Sequence, residues 1–155
     1  MKRLLLIPLV LFISLAFGQS NEVKKSTEHN ISIGMFDDKT GLSLIGYTCN
    51  IKLNEMNELF FGGGTSLIVF TGAGGLKHYY KKSNLSIYSV LSLQRMIFDI
   101  GKGLEEVNLA TCSFSIDYNL KNWNQIKLGV VGVLDSAEGN YEFWGFPFVG
   151  FSLRF

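Results

Sequence analysis

The chain has 155 residues, of which 47% are hydrophobic and 17% are charged, whereas charged residues average about 25% in a soluble domain. Its formal net charge of +1 excludes a strongly basic surface of the kind that binds nucleic acid, and its length suits one domain. With 17 glycines, 2 prolines and 14% aromatic residues, the composition favours twisted β-sheet over helix.

The first element in the chain is an apolar segment at 4–17 that follows two cations. Small residues stand at Ala16 and Gly18, the two positions that a signal peptidase inspects, so residues 1–18 are predicted to be a cleaved secretory signal peptide. The segment is too short for a membrane-spanning helix, and no cysteine directly follows it to carry a lipid anchor. Cleavage would leave 12 cations and 13 anions, a net charge of −1.

Seven clusters of turn residues divide the rest of the chain, which predicts eight strands in an up-and-down order. After a short polar lead-in at 19–28, one barrel domain is predicted at 29–155. Its strands are predicted at 29–36, 42–53, 59–70, 75–81, 85–96, 107–118, 125–134 and 142–155. The first and third connections, DDKTG (37–41) and TGAGG (71–75), are predicted as exposed turns. No apolar stretch after the signal approaches the ~18 residues of a spanning helix, so any membrane crossing must use strands.

Four of the predicted strands, the second, sixth, seventh and eighth, have two clearly different faces. One face of each is apolar, and the other consists mainly of glycine, serine, threonine and asparagine with an occasional single charge. The apolar faces comprise Ile45, Tyr47, Cys49, Ile51 and Leu53; Ala110, Cys112, Phe114, Ile116 and Tyr118; Ile126, Leu128, Val130 and Leu134; and Val149, Phe151, Leu153 and Phe155.

The polar faces indicate which face of each strand points into the lumen. Surfaces in water typically carry ~25–35% charged residues, whereas these faces carry few charges and suit the narrow interior of an eight-stranded barrel. The sequence therefore predicts an all-β fold, an eight-stranded antiparallel transmembrane β-barrel with its apolar faces toward lipid. Asp117 and Lys127 are predicted to pair in the lumen, with Arg154 on the same face. Side chains are expected to fill that interior, which disfavours an open pore.

The two cysteines would enter an oxidising compartment, where a disulfide is the default expectation. Cys49 lies on the second predicted strand and Cys112 on the sixth, which are opposite walls of an eight-stranded barrel. A disulfide needs Cα atoms within about 7 Å of each other. Two free, lipid-facing thiols are therefore predicted.

The last segment of the chain, VGFSLRF (149–155), is a strand with one apolar face. The apolar residues of this segment are Val149, Phe151, Leu153 and Phe155. The pattern resembles the C-terminal signal by which the outer-membrane assembly machinery recognises its substrates, and segment 75–93 resembles a hairpin of the same proteins. After the signal peptide, the whole chain resembles the small eight-stranded outer-membrane barrels of Gram-negative bacteria. These are the OmpX and OmpA transmembrane-domain type and the "outer membrane protein beta-barrel domain" proteins.

This resemblance implies a porin-like fold in the outer membrane, with both termini in the periplasm and a structural or surface-interaction role. It also implies contacts with outer-membrane lipid, with lipopolysaccharide and with the assembly machinery, and a monomeric state. No nucleic-acid partner is expected.

The sequence gives little support for catalysis. By the same resemblance, enzymes built on such barrels use a His and a Ser, and a nucleophile needs a base within hydrogen-bond reach. His29 lies at the start of the first predicted strand, and His78 lies between Lys77 and Tyr79 with no Ser two residues away. Two Cys and two His also stand singly, without the close ligand pairs of a zinc site. No catalytic, cofactor or metal site is therefore predicted.

One alternative stays open, a soluble periplasmic or secreted barrel of the lipocalin type with an apolar ligand inside. Aromatic residues near the strand ends favour the membrane barrel, because girdles of aromatic side chains mark its two interfaces. These aromatic residues include Phe36, Phe60, Tyr79, Tyr118 and Phe155.

Overall fold

The structure is a computed structural model, and it describes residues 26–99, 101, 103–120, 124–135 and 142–155. The strands in this part of the chain are β1 (Thr27–Ile33), β2 (Ile45–Lys52), β3 (Asn57–Thr65), β4 (Val69–Lys81), β5 (Leu85–Asp99), β6 (Leu104–Asn119), β7 (Asn124–Asp135) and β8 (Glu142–Arg154). The predicted signal peptide and residues 19–25 of the predicted lead-in lie outside the described residues. The described residues contain no helix that is long and apolar enough to span a membrane.

The eight strands form a closed antiparallel barrel in which each strand pairs with its neighbours in the sequence. The first and last strands close it, with a register that runs from Asn30 opposite Arg154 to Ile33 opposite Phe151. Beyond that register, the backbones of His29 and Phe155 exchange two hydrogen bonds, of 3.2 and 2.9 Å. The predicted up-and-down barrel is confirmed. β1 begins at Thr27, so the last two residues of the predicted lead-in belong to the barrel wall.

The side chains of the barrel wall point in the directions that the alternation predicted. Along β6, Thr111, Ser113 and Asp117 are buried inside, whereas Phe114 and Tyr118 point outward and are exposed. A row of large apolar side chains is stable in an exposed position only against an apolar medium or a partner. The barrel therefore has apolar side chains outside and polar side chains inside, the reverse of the arrangement in a soluble barrel.

The third connection differs from the prediction. The chain turns at Ser66–Ile68, where the Ser66 amide donates to the Val69 carbonyl at 2.8 Å, and the predicted turn 71–75 lies inside β4. Gly75 is needed there for close packing, because an added Cβ would lie 2.1 Å from the Leu91 carbonyl oxygen. Glycine occurs both in turns and where strands pack tightly, and in β4 Gly75 marks a tight contact and not a turn.

The interior is layered along the barrel axis. We call the end with the β1–β2, β3–β4, β5–β6 and β7–β8 connections the loop end, and the opposite end the terminal end. An apolar layer toward the loop end comprises Phe36, Val69, Met96, Leu109, Val131, Val133 and Phe148. A largely aromatic layer toward the terminal end comprises Phe60, Tyr79, Tyr88 and Val90. The predicted polar lumen is thus interrupted by two largely apolar layers, although polar side chains such as Gln125 and Ser152 are also buried toward the terminal end. Three expected girdle residues, Phe36, Phe60 and Tyr79, point inward instead.

Candidate functional site

Between the two layers of apolar side chains, the lumen is filled largely by the β1–β2 connection, which folds into the barrel. Residues 36–41, which we call the plug, lie inside it, and Asp37, Asp38, Lys39 and Thr40 are each at most 3% exposed. The prediction that DDKTG (37–41) is an exposed turn is therefore wrong. Burial of these polar residues requires partners for each charge and for each backbone group.

A tight turn shapes the plug. The Gly41 amide donates to the Asp37 carbonyl at 2.7 Å, and the Asp37 amide donates back to the Gly41 carbonyl at 3.0 Å. The Asp37 carboxylate also accepts from the Lys39 amide at 2.9 Å. Gly41 has a φ of 74°, in the region that favours glycine, so the turn closes there without strain. These local bonds pair part of the plug backbone, and the Thr40 carbonyl accepts from the Thr71 hydroxyl of the wall.

Lys127 holds the acidic side of the plug. Its Nζ lies 2.6 Å from Asp37 Oδ2 and 3.5 Å from Asp38 Oδ1. Ser115 Oγ donates to Asp38 Oδ2 at 3.4 Å. One cation from β7 therefore serves two carboxylates of the plug, and both carboxylates are shielded from water.

Lys39 holds the opposite side of the plug. Its ammonium group donates to the side-chain oxygen of Asn50 on β2 and lies 4.0 Å from Glu58 Oε2 on β3. Glu58 is also paired with Lys82 at 3.3 Å, close to the terminal end. The plug is thus tied by charge to β2 and β3 on one side and to β7 on the other.

A further buried ion pair links the walls directly. Lys77 Nζ lies 3.1 Å from Asp117 Oδ2, and the Tyr88 hydroxyl donates to Asp117 Oδ1 at 2.7 Å. The Lys77 ammonium also lies 3.4 Å from the centroid of the Tyr88 ring, a cation–π contact. Asp117 therefore has a cation and a hydroxyl as partners within the barrel.

The predicted lumen residues are thus placed inside but divided among different partners. Asp117 and Lys127 stand opposite each other in the β6–β7 register, yet Asp117 pairs with Lys77 and Lys127 pairs with the plug. Arg154 Nε lies 3.5 Å from Glu28 Oε2, near the terminal end. Neither Lys77 nor the plug with Asp37 was predicted to belong to this network.

Inward-facing glycines make room for the plug. A Cβ added at Gly62 would lie 2.9 Å from the Lys39 carbonyl oxygen, and one added at Gly64 would lie 2.5 Å from Ser43 Cβ. β2 provides a third such position, Gly46, where a Cβ would lie 2.5 Å from Thr40 Oγ1. Glycines at alternate inward positions of β3 were the sequence signal for an inserted segment. A strand with nothing packed closely against its inner face has room for side chains at these positions.

The four apolar residues of the last segment form one outward row. Val149 and Phe155 are exposed, and Phe151 and Leu153 are half-buried on the same face of β8. The Phe155 ring stacks on His29 with a centroid distance of 6.1 Å. Their role as an assembly signal stays a prediction.

Both histidines lie on the outer wall among aromatic side chains. His29 Nδ1 lies 2.6 Å from the Tyr47 hydroxyl, and His78 Nδ1 lies 2.7 Å from Asn57 Oδ1. The His78 ring also packs edge-on against Tyr80 at 5.0 Å. Among the described residues, no three His, Cys, Asp or Glu side chains are grouped so that they could hold a metal ion.

Both cysteines are free, as predicted. Cys49 on β2 and Cys112 on β6 are four strands apart in the barrel, and both belong to the outward-facing set. The barrel wall therefore separates the two thiols, and each takes the place of a small apolar residue on its outer surface.

A closed eight-stranded antiparallel barrel with an apolar outside and charges paired inside defines the class of small transmembrane barrels. Neither a protein-family model nor a curated protein matches the sequence. Among solved structures, the chain is similar to the N-terminal β-barrel domain of OprF from Pseudomonas aeruginosa, with a TM-score of 0.53 and 14% sequence identity. The match covers 85% of this chain and 100% of that domain. The resemblance seen in the sequence is thus confirmed at the level of the fold.

Proposed function

We propose that this protein is an integral outer-membrane barrel with a structural or surface-interaction role. The observation that carries the proposal is the inverted burial of the wall. Leu93, Val149 and Phe155 are 72%, 64% and 65% exposed on the outside, while Asp117 and Lys127 are buried inside. Water outside and an apolar ligand inside would require the opposite arrangement.

The filled interior supports a structural role rather than transport. The plug, the two ion-paired groups around Lys127 and Lys77, and the apolar layers above and below occupy the lumen along its length. An eight-stranded barrel is just wide enough for its side chains to fill. We further propose that the protein has no catalytic activity, since its histidines take part in the aromatic outer surface.

The proposed partners follow from the apolar outer surface. Membrane lipid would contact the outward rows, and lipopolysaccharide would contact the loop end. Val149, Phe151, Leu153 and Phe155 are the proposed recognition segment for the assembly machinery. The protein would act as a monomer, without nucleic acid.

Gel migration and fractionation of the expressed protein test the proposal. A folded membrane barrel keeps its compact shape in detergent, so unboiled and boiled samples should migrate differently, and the protein should sediment with outer membranes. Recovery in the aqueous periplasmic extract without detergent would contradict the membrane assignment and would favour the soluble, ligand-carrying barrel.

A further inference from the structure

A groove crosses the outer surface of the wall from β3 to β7, in the half nearer the loop end. It encloses a volume of about 580 Å³. Its floor is formed by Gly72, Gly74 and Ala110, and its sides by Phe61, Leu93 and Leu134. These residues belong to the outward, apolar set, so the groove opens toward the medium around the barrel, while the buried residues Gln94 and Leu109 also border it from within the wall.

Of the two glycines at the floor, Gly74 lies beside the Phe61 ring, which an added Cβ would approach to 3.3 Å, whereas Gly72 has no such neighbour. A Cβ added at Gly72 would meet no atom within 4 Å, whereas Cβ atoms at Gly62 and Gly64 would collide with the plug or its flank. Glycine weakens a strand, and within a strand it often marks the close approach of a ligand or of another backbone. Gly72 therefore points to an occupant outside the barrel.

One end of the groove is polar. Arg95 stands opposite Gly72 in the β4–β5 register and opposite Asn108 in the β5–β6 register. Its guanidinium donates to Glu106, and its side chain is 58% exposed. A guanidinium carries five donors in a planar fork, so donors remain for a further acceptor.

The polar end coincides with a change in the outer surface. On β5 the outward side chains Leu91 and Leu93 are followed by Arg95, and on β6 Cys112 and Ala110 are followed by Asn108. Beyond this polar row the exposed side chains Phe70 and Leu104 follow toward the loop end. Aromatic side chains flank the apolar band of a membrane barrel, so the row lies near the interface with the headgroups. The glycine floor would thus lie in hydrocarbon and Arg95 at headgroup level.

We propose that this groove binds one acylated, phosphate-bearing lipid, with an acyl chain across the glycine floor and a phosphate on Arg95. The inference rests on the proposed outer-membrane function. At the loop end of an outer-membrane barrel this lipid is the lipid A part of lipopolysaccharide. Arginine suits the role because its fork matches phosphate geometry.

The test uses the purified, refolded barrel in detergent with added diphosphoryl lipid A, and native mass spectrometry measures the retained lipid. We expect one lipid bound per wild-type barrel. Gly72→Leu, which fills the floor, and Arg95→Gln, which removes the cation, should each lower the bound fraction about fivefold or more. Cys49→Leu on β2 and Lys81→Gln near the terminal end are matched controls for size and charge, and both should bind as wild type.

A second pair of measurements separates recognition of phosphate from a structural ion pair. Glu106→Gln removes the competing carboxylate, so it should bind lipid A at least as well as wild type, whereas a purely structural pair would make Glu106→Gln and Arg95→Gln equally weak. Lipid A that lacks its phosphates should be retained less. Equal retention of both lipids, or wild-type binding by Gly72→Leu and Arg95→Gln, would overturn the proposal.

Heat-modifiable migration of every sample keeps the two proposals distinguishable. A barrel that folds in detergent and vesicles but retains no lipid A contradicts the groove site alone. A wild-type chain that never becomes heat-modifiable contradicts the membrane function itself, and the groove site with it.

Discussion

The two sides of the barrel differ in height and in what holds them together. β1, β2 and β3 have 7, 8 and 9 residues, whereas β4, β5 and β6 have 13, 15 and 16. The tall side is stabilised by long ladders, with β5 and β6 paired from Leu85 to Asp99. The short side has fewer ladder bonds, and the chain that would extend β1 forms the plug instead. On the short side, the buried charges of the plug thus provide stabilisation that backbone pairing provides on the tall side.

The largest expected effect is the loss of the cation that holds the plug. Lys127→Met leaves the Asp37 and Asp38 carboxylates buried without their nearest cation, which should cost about 3–5 kcal/mol of stability. Urea unfolding of the barrel in lipid vesicles measures the change. The triple variant Lys127→Met, Asp37→Asn, Asp38→Asn removes the charges together and should recover much of the loss. A single variant as stable as wild type would show that the plug does not depend on Lys127.

A matched pair of glycine substitutions separates the inner face of the barrel wall from its outer face. Gly62→Ala places a methyl group against the Lys39 carbonyl of the plug and should destabilise the barrel by about 1–3 kcal/mol. Gly72→Ala adds the same methyl group on open outer surface, where a surface change within about 0.5 kcal/mol is expected. Equal unfolding midpoints for the two variants would contradict the placement of the plug.

A hydrogen bond between the tall walls should matter less than the pairing of Lys127 with the plug. Tyr88→Phe removes the donor to Asp117 Oδ1 and keeps the ring under Lys77, so a loss of about 1.5–3 kcal/mol is expected for a bond to a charged group. Tyr118→Phe, which changes an outward tyrosine on β6, is the control and should leave the unfolding curve in place. No difference between the two would argue against a dry interior around Asp117.

The smallest effect belongs to the outer charge pair of the tall side. Arg95 and Glu106 are both well exposed, so Glu106→Gln should change the free energy of unfolding by at most about 1 kcal/mol. The same urea titration measures it, with rising salt as a further check, because exposed pairs are screened. A loss as large as that of Lys127→Met would mean that the pair is buried in the folded protein.

Much of the wall could be predicted from the sequence, because its signals are local. Alternation along β6, from Ala110 to Tyr118, indicated which side chains face out, and regularly spaced turns indicated eight strands. The separation of Cys49 from Cys112 followed from that strand order. In each case the information lies within a few neighbouring residues.

The plug could not be predicted because its partners are distant in the chain. DDKTG has the composition of a turn, and the bond from Lys127 to Asp37 joins residues 90 positions apart. The same limit explains the predicted pairing of Asp117 with Lys127. Opposite register positions made that pair plausible, but Lys77 and the plug supply other partners. The inward glycines Gly62 and Gly64 were the available hint.

The most direct test of the membrane barrel uses its two native cysteines as reporters. Nitroxide labels on Cys49 and Cys112, in barrels reconstituted into vesicles, measure collisions with oxygen, which dissolves in lipid, and with a water-soluble nickel chelate. Because both residues face outward, we expect frequent collisions with oxygen and few with nickel at both sites. Nickel collisions as frequent as those of a label in water would contradict a barrel that presents its apolar face to lipid.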